Sequence, residues 1–173
     1  MLYLFKYIKC FLLFLLAGAI ASCGFVPMYS SNNNLSSESV LNSLQQIDVR
    51  PIADRRGRIL RNQIREKINP RGVYGAKYDL QVILASRSQD LGVRKDSTTS
   101  RSNLILTANV VLWDGTKRLL RDRVRATVSY NILDQQYATI ASERNAESRA
   151  LTQISEQIRT LLAVYFKRLS EAR

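Results

Sequence analysis

The residue best placed to do chemistry is Cys23. It closes the run Ile20-Ala21-Ser22-Cys23, an aliphatic residue and two small ones before a thiol. Small residues let a peptidase draw the backbone into a narrow cleft, and a thiolate is the nucleophile that can accept a lipid. The other groups with chemical potential are cations. Arg121, Arg123 and Arg125 alternate along one stretch, and Arg87, Arg94, Lys95 and Arg101 lie in or beside a polar segment. Guanidinium groups in a row form charge-assisted hydrogen bonds to phosphate or carboxylate oxygens. Other chemistry finds little footing. The chain has no histidine and two cysteines, which removes the commonest general base and metal ligand. There is no glycine-rich phosphate loop, no metal-ligand cluster and no nucleophile paired with a histidine. The carboxylates are scattered, most of them beside Lys or Arg. These absences point to a binding or assembly protein, not an enzyme, with no metal and no cofactor apart from a covalent lipid on Cys23.

Cys23 gains meaning from what precedes it. Residues 1–9 carry Lys6 and Lys9, and residues 10–21 are nearly all apolar. A charged start, a short apolar run and small residues make the layout of a signal peptide. The run is shorter than the roughly 20 apolar residues of a spanning helix, so an uncleaved anchor is the lesser alternative. The expectation is a lipoprotein signal peptide over 1–22, cleavage before Cys23 and lipid on its thiol, with anchoring to a membrane. Gly24 stands where an Asp would signal inner-membrane retention, which favours the outer membrane. Cys10 falls in the leader, so the mature part has no partner for an internal disulfide.

The formal charge is +12, of which the leader's two lysines account for two. So large a surplus suits a polyanionic partner such as lipid headgroups or lipopolysaccharide phosphates. It suits a solvated, soluble surface equally well. Few aromatic residues interleave with the arginines, and an exported chain rarely meets nucleic acid, so nucleic acid is not expected as a partner.

The elements that must position these residues follow from periodicity. Residues 23–44 read as a lipidated N-terminus and polar tether, with 30–39 rich in Ser and Asn, and 45–173 as a single domain. A strand is expected over Gln45–Ile52. Asp54 should cap a helix whose Leu60, Ile64 and Ile68 form an apolar stripe, ended by Asn69-Pro70-Arg71-Gly72. Tyr78, Leu80, Val82 and Leu84 alternate as in a half-buried strand over 78–86, and 87–100 reads as a long polar loop. Residues 101–113 alternate again, and Asp114-Gly115 marks a turn. In the following strand Leu120, Val124, Ala126, Val128 and Tyr130 share one face, with the three arginines on the other. A two-residue Asp-Gly loop would bury arginines. A three-residue loop, Trp113-Asp114-Gly115, instead pairs Ala108 with Leu120 and Leu104 with Val124. A last helix is expected over Gln136–Leu169, its stripe running through Leu151, Ile154, Ile158, Leu161, Leu162 and Tyr165. The order β-α-β-β-β-α implies an α+β two-layer sandwich: about four strands in a mixed sheet, with two helices on one face.

Several of these segments resemble the lipopolysaccharide-assembly lipoprotein family LptE in its alphaproteobacterial form. They are Cys23-Gly24-Phe25-Val26-Pro27-Met28-Tyr29, Arg58-Ile59-Leu60-Arg61-Asn62-Gln63-Ile64, Tyr78-Asp79-Leu80-Gln81-Val82, Ser129-Tyr130-Asn131 and Tyr165-Phe166. The resemblance implies the same sandwich and a non-enzymatic role. It implies seating inside the outer-membrane barrel LptD, help in folding that barrel, and contact with lipopolysaccharide during its insertion into the outer leaflet. It assigns no residue to lipopolysaccharide. Arg121, Arg123, Arg125, Arg87, Arg94 and Lys95 are the candidates for contact with lipopolysaccharide or barrel. Two other classes remain: a different outer-membrane assembly lipoprotein, such as an accessory of the barrel-insertion machinery, and an envelope hydrolase with an unrecognised carboxylate site.

Overall fold

The computed structural model describes residues 34–72, 75–93 and 99–172. The chain divides into two compact units, Met1–Ser37 and Glu38–Arg173. Among the described residues seven elements follow in order: α1 (Asn34–Gln45), β1 (Ile47–Val49), α2 (Asp54–Ile68), β2 (Tyr78–Val93), β3 (Thr99–Asp114), β4 (Lys117–Asn131) and α3 (Gln136–Glu171). The strands form one sheet in the order β1-β2-β3-β4. β1 runs parallel to β2, and the other neighbours are antiparallel. The expected α+β fold with a four-stranded mixed sheet is what the chain adopts.

One core accounts for the arrangement. Even-numbered residues of the long strands, among them Leu80, Leu104, Leu106, Ala108, Val110 and Leu112, face Leu60 and Ile64 of α2. Leu151, Ile154, Ile158 and Leu162 of α3 complete the same cluster. Each such Leu, Ile or Val side chain stabilises the fold by about 1.5–3 kcal/mol through burial. Gly57 is buried against Ile52; a Cβ there would lie 2.7 Å from Ile52 Cγ2 and 2.9 Å from its carbonyl carbon, so only glycine lets α2 approach.

Ion pairs lock the helices to each other. Glu147 of α3, its side chain 6% exposed, pairs with Arg55 and Arg56 of α2; Arg56 Nε donates to Oε2 at 2.7 Å. Lys67 of α2 donates to Glu156 of α3. A buried carboxylate with two guanidinium partners keeps its charge compensated, and removing both would strand it.

Five expectations are corrected. Residues 34–39, taken as tether, begin helix α1, because Val40 and Leu44, four apart, pack against the core; residues 30–33 lie outside the described residues. β1 covers three residues of the expected Gln45–Ile52 strand, since Pro51 has no N–H to continue the ladder. The cap of α2 is Ala53, not Asp54, which is the first helical residue at φ 67°.

The fourth correction is the largest. The stretch 87–100 is not a loop in the main: β2 continues to Val93 and β3 starts at Thr99, leaving 94–98 between them outside the described residues. The β3–β4 register also differs. Ala108 faces Val124 and Leu104 faces Val128, four residues further along β4 than expected. The turn is Gly115-Thr116, since Asp114 pairs with Lys117; Gly115, at φ 56°, supplies the positive φ such a hairpin requires. A bulge follows, with Trp113 opposite Arg118 but Leu112 opposite Leu120. Without that extra residue, Arg121, Arg123 and Arg125 would turn toward the core.

Candidate functional site

The two faces of the sheet differ in chemistry because strand side chains alternate. The helices take the apolar face. The other is built from odd-numbered residues, and no described helix packs against it. Arg121, Arg123 and Arg125 stand there, opposite Val111, Asn109 and Thr107 of β3. Those three in turn face Gln81, Ile83 and Ala85 of β2, and Arg87 faces Ile105. All four arginines are exposed.

Arg87, Arg123 and Arg125 surround a shallow hollow of about 340 Å³, with Ala85, Ile105 and Thr107 also in its wall. Ile105 is only 6% exposed although it faces away from the core. Ile83, on the same face four residues before Arg87 in β2, is 58% exposed. Arg123 Nε donates to Asn109 Oδ1 at 2.9 Å, which fixes its direction along the face. Among the described residues, none of these four guanidinium groups is paired with a carboxylate. Asp122, their neighbour in β4, points the other way and accepts the Arg123 backbone N–H at 2.7 Å.

The energetics favour an anionic visitor. Alternate residues of a strand stand about 6.8 Å apart. Like charges at that spacing repel by about 0.6 kcal/mol in water, which a bound anion would relieve. A hollow with an apolar wall and a cationic rim can take a phosphate or carboxylate attached to something greasier. Of the six residues singled out for contact, four thus share one face. Arg94 and Lys95 lie outside the described residues. Arg101 is also exposed at the far end of β3.

Periodicity placed the arginine row and the face it occupies. It did not show that Arg87 belongs to the same sheet. The stretch Ser86-Arg87-Ser88-Gln89-Asp90 is exposed on both faces, so no apolar residue recurs to mark it as strand.

Several other charged groups bridge elements of the fold. Arg55, Arg56 and Glu147 hold two helices together, and Arg50 pairs with Asp79 at 2.8 Å across β1 and β2. Among the described residues, no three His, Cys, Asp or Glu come close enough to hold a metal ion. No described helix is long and apolar enough to cross a membrane.

The fold recurs in solved structures. A protein of Caulobacter crescentus CB15 described as a lipoprotein matches with 23% identity and TM-score 0.61, over 75% of this chain and 96% of that one. The minor lipoprotein of Acinetobacter baumannii matches with 17% identity and TM-score 0.57, over 68% and 90%. The rare lipoprotein B of Shewanella oneidensis matches with 13% identity and TM-score 0.54, over 72% and 98%. At such identities the likeness is one of fold. No curated protein matches the sequence. A family model does, described as lipopolysaccharide-assembly, over residues 44–162, which spans β1 through most of α3 and includes all four arginines of the open face. This chain belongs to the lipopolysaccharide-assembly family LptE.

Proposed function

We propose that this chain is an outer-membrane lipoprotein, anchored through Cys23, that seats in the LptD barrel and aids both barrel folding and lipopolysaccharide insertion into the outer leaflet. Family membership supports the process, and the lipoproteins that share the fold support the anchor. The observation that carries the reading is the open sheet face. It sets four arginines, none paired with a carboxylate among the described residues, beside Asn, Thr and Gln side chains, a surface suited to a polar barrel lumen or to phosphate. The role needs no catalytic group: the protein binds, orients and fills space.

The test is a pull-down of the tagged chain from detergent-solubilised membranes. LptD should be the barrel recovered. Recovery of a barrel-insertion complex in its place would move the chain to that machinery. Seating inside a barrel also predicts that the domain resists added protease in the complex and is cut when purified alone. Equal cleavage rates in the two states would overturn enclosure.

A further inference from the structure

On two edges of the sheet side chains bond outward carbonyls, at Ile47 and Val49 and at Arg125 and Ser129; on a third stretch, among the described residues, none does. Backbone groups of β1 that face away from β2 are occupied: Asn69 Nδ2 donates to the Ile47 carbonyl at 2.6 Å, and Arg61 Nε to that of Val49 at 2.8 Å. On β4, Gln157 Nε2 donates to the Arg125 carbonyl at 3.1 Å and Arg149 to that of Ser129 at 3.4 Å. β2 is different. It runs to Val93, but β1 pairs with it only as far as Leu80. The bonds from Tyr78 N to Gln46 O and from Arg50 N to Leu80 O show that even-numbered residues of β2 aim their N–H and C=O toward the β1 side. Ser86, Ser88 and Asp90 therefore present theirs to an edge where, among the described residues, no backbone or side-chain group bonds them.

We infer that the free edge of β2, from Ser86 to Asp90, is a strand-addition site for an extended acidic segment of a partner protein. Main-chain bonds would supply affinity, and recesses for alternate side chains would supply selectivity. Two such recesses flank this strand. One, of about 340 Å³, is lined by Leu84 and Ser86 with Ala53–Gly57 of the α2 start, including the exposed Arg55. The other is the arginine-rimmed hollow on the opposite face, lined by Ala85 and Arg87. An added strand would place successive side chains toward one and then the other. Acidic side chains on the outer face would meet Arg87 directly across the pair, where opposite charges stabilise and like charges destabilise. That preference argues against a second copy of this chain, which would bring Arg87 and a strongly cationic face up to their equals. The inference stands apart from lipopolysaccharide binding and from the identity of the barrel.

The probe is a synthetic peptide of alternating Glu and Val, compared with a Lys-Val peptide and with a Glu-Val peptide carrying proline at every third position. Amide hydrogen exchange is read by NMR on the full-length protein in detergent. The Glu-Val peptide should slow exchange at Ser86, Ser88 and Asp90 at least tenfold and leave Arg87 and Gln89, already bonded to β3, unchanged. Ser88→Pro removes an edge donor without touching the β3 ladder and should abolish the effect. Arg87→Glu, at an exposed position, should transfer it to the Lys-Val peptide. Absence of protection, or equal protection by the proline peptide, would overturn the inference. So would slow exchange in the protein alone: if concentration-dependent, a second copy fills the edge, and if not, the chain's own N-terminal residues do.

Discussion

A single arginine on a strand is unremarkable; four on one open face, with no carboxylate among the described residues to neutralise them, require a reason. Arg121, Arg123 and Arg125 keep their charges out of the core only because of the bulge between Leu112 and Trp113. None supports packing, so their worth must lie in what they meet. Replacing all three with Gln should change stability by no more than about 0.5 kcal/mol, as surface substitutions do. Binding to lipopolysaccharide or to the barrel should weaken about tenfold or more, and the remaining binding should depend less on salt, because exposed charge pairs are screened. A melting curve and binding titrations at two salt concentrations decide the matter. A triple variant that melts and binds like the wild type would show a merely solvated face.

The elements are held in place by a few inter-helix clamps, and one has a pH signature. Lys67 on α2 donates a hydrogen bond to Glu156 on α3, and this holds the Glu156 carboxyl below its ordinary range. Slight desolvation opposes that, and the charges of Lys67 and Arg159 add to it. With the folded value below the unfolded one, the unfolded chain binds the proton more readily. The clamp's contribution is therefore present at neutral pH and fades as pH falls through the carboxylate range. Glu156 is half exposed, so the contribution stays below about 1 kcal/mol. Glu156→Gln should melt slightly lower than wild type near pH 7, with the gap closing by about pH 3; a gap that persists there would assign the loss to packing. The same elements show what periodicity can carry. Where a face is buried, as at Leu104 to Leu112 or Leu151 to Leu162, the pattern names the element and its orientation. Where both faces meet water, as from Ser86 to Asp90, strand and loop read alike. The β3–β4 register depends on a turn displaced to Gly115-Thr116 plus a bulge. Burial constrains only whether the shift is odd or even, so the faces were readable in the residues and the partners were not. Helix α1 stayed hidden because Val40 and Leu44, which pack on the core, make too short a stripe to stand out among Ser and Asn.

For the whole molecule the question is how a cationic domain would be held at a membrane, as proposed. No described helix can cross one, and net positive charge alone gives attachment that salt removes. The proposed thiol-linked lipid at Cys23 would supply what charge does not. Each buried methylene contributes about 0.8 kcal/mol; one acyl chain holds only marginally, whereas two or more hold stably. Cys23→Ala removes the nucleophile, so neither the diacylglyceryl group nor the cut before residue 23 should follow. Location alone is a poor readout for this variant, because an uncleaved leader with the apolar run of residues 10–21 would keep the precursor at a membrane. Labelled palmitate and electrophoretic mobility separate the two cases. Wild type should take up label and run as the shorter mature form. The variant should take up none and run as the longer precursor. Equal labelling of both would overturn the proposed lipid anchor.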